Sequence, residues 1–138
     1  MNKLPMLARI LLGLIFFVFG LNGFLHFLPM PPMSGVQAQF FEGLMATRYF
    51  LPFMAGVQVI SGALLLAGAL VPLALVMLAP IIINIVLFHL FVAPSGLPIA
   101  IVVGLLEVYL AFFAKPYCPI VKQIFHCPNK EAKDAKKI

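Results

Sequence analysis

The chain has 138 residues, of which 64% are hydrophobic and 9% charged, with a net charge of +5 and a mean hydropathy of +1.15. A water-soluble domain carries roughly 25% charged residues, so this supply of polar side chains excludes a soluble surface. The positive balance requires no nucleic acid, because the basic residues gather at the ends of apolar blocks, where they set membrane orientation.

Crossing the hydrocarbon core takes about 20 helical residues, and four blocks have that length. The first runs from Ala8 to Leu28. Lys3 ahead of it, and Val36-Gln37-Ala38 after it, also fit the outline of a secretory leader. A leader's apolar core is only about 7–15 residues, however, and here a proline-rich stretch separates the run from that site. The block is therefore read as a retained first span.

The segment Pro29-Met30-Pro31-Pro32-Met33-Ser34-Gly35 cannot continue a helix, since proline lacks the amide donor and clashes with the preceding turn. In the loop beyond it, Val36, Phe40, Phe41, Leu44 and Met45 share one helical face, which predicts a short amphipathic helix at the outer interface. The second span runs from Tyr49 to Leu70, the third from Leu73 to Val92 and the fourth from Leu97 to Ala114, with Pro72 and Pro94-Ser95-Gly96-Leu97-Pro98 at the turns. None of the blocks alternates strictly, which disfavours a transmembrane barrel. The expected fold is an all-α, four-helix transmembrane bundle over residues 1–117, followed by a short basic tail at 118–138.

Lys3 and Arg9 flank the start of the first span, and Lys115, Lys122, Lys130, Lys133, Lys136 and Lys137 follow the last, against Arg48 alone on the other side. The positive-inside rule then places both termini in the cytoplasm. The tail, in which Glu131 and Asp134 alternate with lysines, reads as a solvated end in reach of anionic lipid. Cys118 and Cys127 fall on the reducing side, which argues against a structural disulfide. With His126 they are one ligand short of a zinc site, and their spacing is not that of a Cys-x-x-Cys pair. No metal is expected there.

The informative residues are the polar ones within the spans: Asn22 and His26, Gln58 and Ser61, Asn84 and His89, Glu107 and Tyr109. Such side chains cost a few kcal/mol in hydrocarbon and usually face the bundle interior. At about 1.5 Å per residue, Glu107 lies roughly 12 Å from the cytoplasmic end, Gln58 and Asn84 roughly 16 Å, Asn22 roughly 20 Å, His89 roughly 24 Å and His26 roughly 27 Å. A polar column through the bundle is the expectation.

Asn22 and His26 share a face. Asn84 and His89 stand about 140° apart on an ideal helix, although Pro80 can bend or unwind the turn before them. Taken singly, the amides also suit plain interhelical hydrogen bonds, typically ~0.6 kcal/mol each. Glu107 is the one carboxylate well inside a span. It suits proton exchange or a hydrogen bond to a carbonyl ligand, or alternatively a structural bond to Gln58 or Asn84. Gly13 with Gly20, and Ala63 with Ala67, supply small residues for close helix approach.

Three stretches resemble the DoxX family: ARILLGLIFFVFGLNGFLHF from Ala8, GVQVISGALLLAGA from Gly56 and APIIINIVLFHLF from Ala79. The resemblance covers the four spans. It implies a four-helix protein of a bacterial inner membrane, with a role as an accessory or membrane subunit of quinone-linked redox metabolism, since the related DoxD proteins are associated with thiosulfate:quinone oxidoreduction. The family often has glutamate where Gln58 stands here, so proton chemistry implied at that position shifts to Glu107.

Three classes of function fit these residues. In the first, a quinone and a redox partner subunit are served by Gln58, Asn84, His89 and Glu107. In the second, a b-type haem is held by His26 and His89, imidazole being a common axial ligand. In the third, the chain is a non-enzymatic scaffold or small transporter whose partners are lipid and further copies of itself. No nucleophile elbow or phosphate loop points to hydrolysis or nucleotide chemistry, and nothing in the residues decides whether the chain is an enzyme.

Overall fold

Within hydrocarbon every backbone amide and carbonyl must be satisfied inside its own segment, which leaves helices for a chain without alternating strands. A computed structural model of the chain describes residues 3–30 and 32–126, and it is helical throughout its membrane-sized segments. Helix α1 (Leu4–Leu25) opens with a proline in its first turn, where a missing amide costs nothing. α2 (Gly35–Ala46) follows the proline-rich break. α3 (Phe50–Ala67) ends on Gly68 at φ 72°, a left-handed conformation that glycine adopts freely.

α4 (Val71–Phe91) contains Pro80 and remains one continuous helix across it. α5 (Leu97–Val108) is entered from the 3-10 turn Pro94–Gly96 and continued by a π-helical turn, Tyr109–Phe113. The short α6 (Cys118–Ile124) packs its buried Val121 against the bundle.

Four segments are long and apolar enough to cross a membrane: Leu4–Leu25, Phe50–Ala67, Val71–Phe91 and Pro94–Phe113. The chain is an integral membrane protein built as a four-helix bundle. The first span starts and stops earlier than Ala8–Leu28. Its end is set by Asn22, whose Oδ1 accepts the Leu28 amide at 2.7 Å while its carbonyl takes the His26 amide.

The spans form a ring in which α1 packs on α3, α3 on α4, α4 on α5 and α5 on α1, whereas the diagonal pairs α1–α4 and α3–α5 do not meet. Leu12, Leu65, Leu75, Leu78 and Leu110 fill its centre. Lipid tails are as apolar as these side chains, so burial alone gives little drive for association, and tight packing must supply it. The tightest seam is α1–α3. A Cβ at Gly62 would come to 2.5 Å from the Phe17 amide nitrogen, and one at Gly20 to 2.8 Å from that of Val59. Gly13 and Gly23 lie as close, against Leu65 and Ala55.

Gly13 and Gly20 thus serve the expected close approach, but Ala63 and Ala67 do not: both are exposed on the outer side of α3, and Gly62 and Ala55 take that part. At the far end, α2 lays Phe40 and Phe41 against Phe88 of α4, with ring centroids 5.1 and 5.6 Å away. The predicted amphipathic helix is present and also packs against α3, but Val36, Phe40 and Met45 of its apolar set are exposed.

Gly62→Ala places its methyl against backbone, which cannot swing aside. It should lower stability by about 1–3 kcal/mol, the usual cost of overpacking. Gly43→Ala, where a Cβ meets nothing within 4 Å, should be neutral. Unfolding of both variants in mixed micelles checks the pair; equal stability would mean that the α1–α3 seam is slack.

Candidate functional site

Arg9 stands on the same face of α1 as Gly13 and Gly20, so the glycine seam brings its guanidinium to the last turn of α3. Nη1 donates to the Leu65 carbonyl at 2.7 Å and to that of Leu66 at 3.4 Å. The Leu65 carbonyl also accepts the amide of the C-cap Gly68 at 3.2 Å, and both carbonyls lie in the last turn, at the negative end of the helix dipole. Gly68 gives the group room, because a Cβ there would collide with Arg9 Nη1. The Arg9 Nε–H, by contrast, is buried without a hydrogen-bond partner.

Two more buried polar atoms lie on α3 and α5. Ser61 is 0% exposed on α3 and Glu107 7% exposed on α5; Ser61 Oγ and Glu107 Oε2 are both buried without hydrogen-bond partners. Glu107 shares its inward face with the buried Ala100, Val103 and Leu110. Arg9 is five residues from the start of α1, Ser61 six from the end of α3 and Glu107 six from Phe113. At 1.5 Å per residue, Arg9 and Glu107 each stand about 8–9 Å from the end of their own span that lies toward Lys3 and Lys115, whereas the seating of Gly62 against Phe17 sets Ser61 deeper, level with the middle of α1. Gln58 lies one turn further along the face of Ser61, half-buried. The structural bond between Glu107 and Gln58 or Asn84 is not made, since Oε2 is unpartnered.

Between α1 and α5, at this same end, an apolar groove of about 300 Å³ opens to the outside of the bundle, lined by Leu4, Ala8, Val102, Leu105, Leu106 and Tyr109. Glu107 follows Leu106 in sequence but faces inward, and it is not among the side chains that line the groove. The unpartnered groups at this end comprise the Arg9 N–H donor and the Glu107 carboxyl group. Such a set suits a proton or a polar group with both donor and acceptor character. Among the described residues, no three of His, Cys, Asp or Glu come together as metal ligands do.

The other expected members of the polar column are elsewhere. Asn22 is occupied at the end of α1. His26 is exposed as the left-handed C-cap of α1, at φ 53°. His89 Nδ1 lies 3.0 Å from the Ala93 carbonyl, and its ring closes on Gly96. The two histidines considered as haem ligands thus belong to α1 and α4, which do not touch, and each sits at a helix end. Asn84 is exposed on the outer side of α4 with Val76, Pro80 and Ile83. Helix ends claim nearby polar groups, and the phase of α4 turns Asn84 outward; together these dissolve the column. Cys118 is half-buried at the start of α6, while Cys127 and the lysine tail lie outside the described residues.

Arg9 belongs to this end of the bundle although it was not singled out for it, while Ser61, named among the polar residues of the spans, is buried deeper. Arg9 counted only as a marker of orientation, yet its register with Gly13 and Gly20 is readable in the sequence. Arg9→Met should cost about 1.5–3 kcal/mol, the usual loss for a hydrogen bond to a charged group, with Arg9→Lys recovering part of it. Thermal unfolding in detergent would check this, and an unchanged midpoint for Arg9→Met would make the cap idle. No family model matches the chain, and no curated protein or solved structure was found to be similar to it.

Proposed function

We propose that the chain is a DoxX-like accessory protein or membrane subunit of quinone-linked redox metabolism, with Glu107 as its proton-exchanging group. The observation that carries the reading is the place of Glu107: an inward-facing carboxyl with an unpartnered Oε2, on the helix whose outer side lines a groove that opens sideways. The resemblance of the first three spans to DoxX sequences supports the redox context. The clustering of Lys3, Arg9, Lys115 and Lys122 at one end, against Arg48 at the other, supports insertion in a bacterial inner membrane with both termini cytoplasmic.

The groove is at the small end of ligand sites, which run from about 300 to 1,000 Å³. It therefore suits a ring, with an isoprenoid tail left in the lipid. A quinone supplies the electron chemistry when bound. The chain's own part is to hold the ring between Ala8, Leu105 and Tyr109, and to give or take a proton at Glu107. A non-enzymatic scaffold is the second reading, favoured by the use of Arg9, Asn22 and His89 at helix ends.

Lipid extracts of the purified protein should contain quinone, and Ala8→Trp, which fills the groove, should remove most of it. Glu107→Gln should keep the quinone and the fold but abolish quinone-dependent respiration in membranes of its host. A wild-type extract free of quinone would sink the redox reading, and unimpaired respiration with Glu107→Gln would favour the scaffold.

A further inference from the structure

The most exposed polar group within a span is not at the site. Asn84 lies three residues past the midpoint of α4 (Val71–Phe91) and is exposed, about 4–5 Å from the middle of the helix. Its side chain is too short to reach headgroups, and it makes no hydrogen bond within the chain. An unpaired carboxamide facing hydrocarbon is costly, and such groups are satisfied by a neighbouring helix. The four spans form a closed ring and none of them covers this side of α4.

A second polar group lies on the same ridge. Pro80 has no amide, so the Val76 carbonyl, one turn earlier, loses its intrahelical donor; Val76 and Pro80 are both exposed. Leu73, Val76, Ile83, Leu87 and Leu90 complete the outward side at alternating spacings of three and four, the pattern of knobs-into-holes pairing between membrane helices. α4 carries no Asp, Glu, Lys or Arg, so a symmetric pairing brings no like charges together.

We infer that this side of α4 binds the same side of α4 in a second copy of the chain, with the two Asn84 side chains as the polar contact. The carboxamide favours a copy over an unlike partner because it is self-complementary: it has both donor and acceptor. A two-fold axis along the membrane normal sets the two groups at equal depth automatically, each donating to the other's oxygen. This pairing is independent of any role for Glu107, which faces the interior.

The test uses full-length protein in liposomes, with both cysteines replaced by serine and single cysteines introduced for oxidative cross-linking. Leu87→Cys should form a covalent dimer at least tenfold more than Ile60→Cys, on the exposed side of α3. Adding Asn84→Leu to Leu87→Cys should cut that yield at least tenfold, while Asn84→Gln should retain it. Resonance energy transfer between labelled copies, diluted with lipid, provides a measurement that needs no cysteine at the contact. Cross-linking no better than at Ile60, a yield indifferent to Asn84→Leu, or transfer no greater than for randomly mixed monomers would each overturn the inference.

Discussion

The absence of side chains along one seam governs the arrangement of this bundle. Where Gly13, Gly20 and Gly23 of α1 meet Gly62 and Ala55 of α3, backbone touches backbone. In lipid this contact must do what water exclusion does elsewhere. It draws α1 to one side of the ring, which lets the guanidinium of Arg9 reach the carbonyls at the end of α3. On the opposite flank α1 faces α5 more loosely, and the apolar groove opens there. Close approach on one side and a gap on the other are two aspects of one placement of α1.

Polar groups divide accordingly between the two ends. Toward the α2 end they are consumed locally: Asn22 closes α1, and His89 reaches the carbonyl of Ala93. Away from that end, Arg9 Nε, Ser61 Oγ and Glu107 Oε2 remain unpartnered though buried. Buried polar atoms are usually satisfied, so each of these exceptions stands out from the packed remainder. Gln58 is half-buried on the face of Ser61.

Much of this was legible in the residues and some was not, for reasons that differ by position. The number and approximate limits of the spans follow from block length, since hydrocarbon thickness leaves little choice. The inward place of Glu107 was legible because a carboxylate in a span usually faces the interior, but Asn84 could not be placed the same way: α4 is apolar on every side, so no stripe distinguishes its inner from its outer face. Ala63 and Ala67 misled for a related reason, because small residues four apart occur on lipid-facing surfaces too. Asn22 and His89 were assigned to an interior column when proximity to a helix end was the stronger influence. The outline of α1 shifted by a few residues because a side-chain cap, rather than hydropathy, ends it.

The bond between Arg9 and Leu65 also has a chronology. Its partners are 56 residues apart, so when α1 first enters the membrane the carbonyl that will receive its guanidinium has not been synthesised. Until then Arg9 can be solvated only by water and headgroups, which holds α1 at a shallow setting. Only with α3 in place can that solvation be exchanged for the protein contact that ties the first two spans together. The α1–α5 seam is the last that assembly can close, which matches its being the loosest in the finished ring.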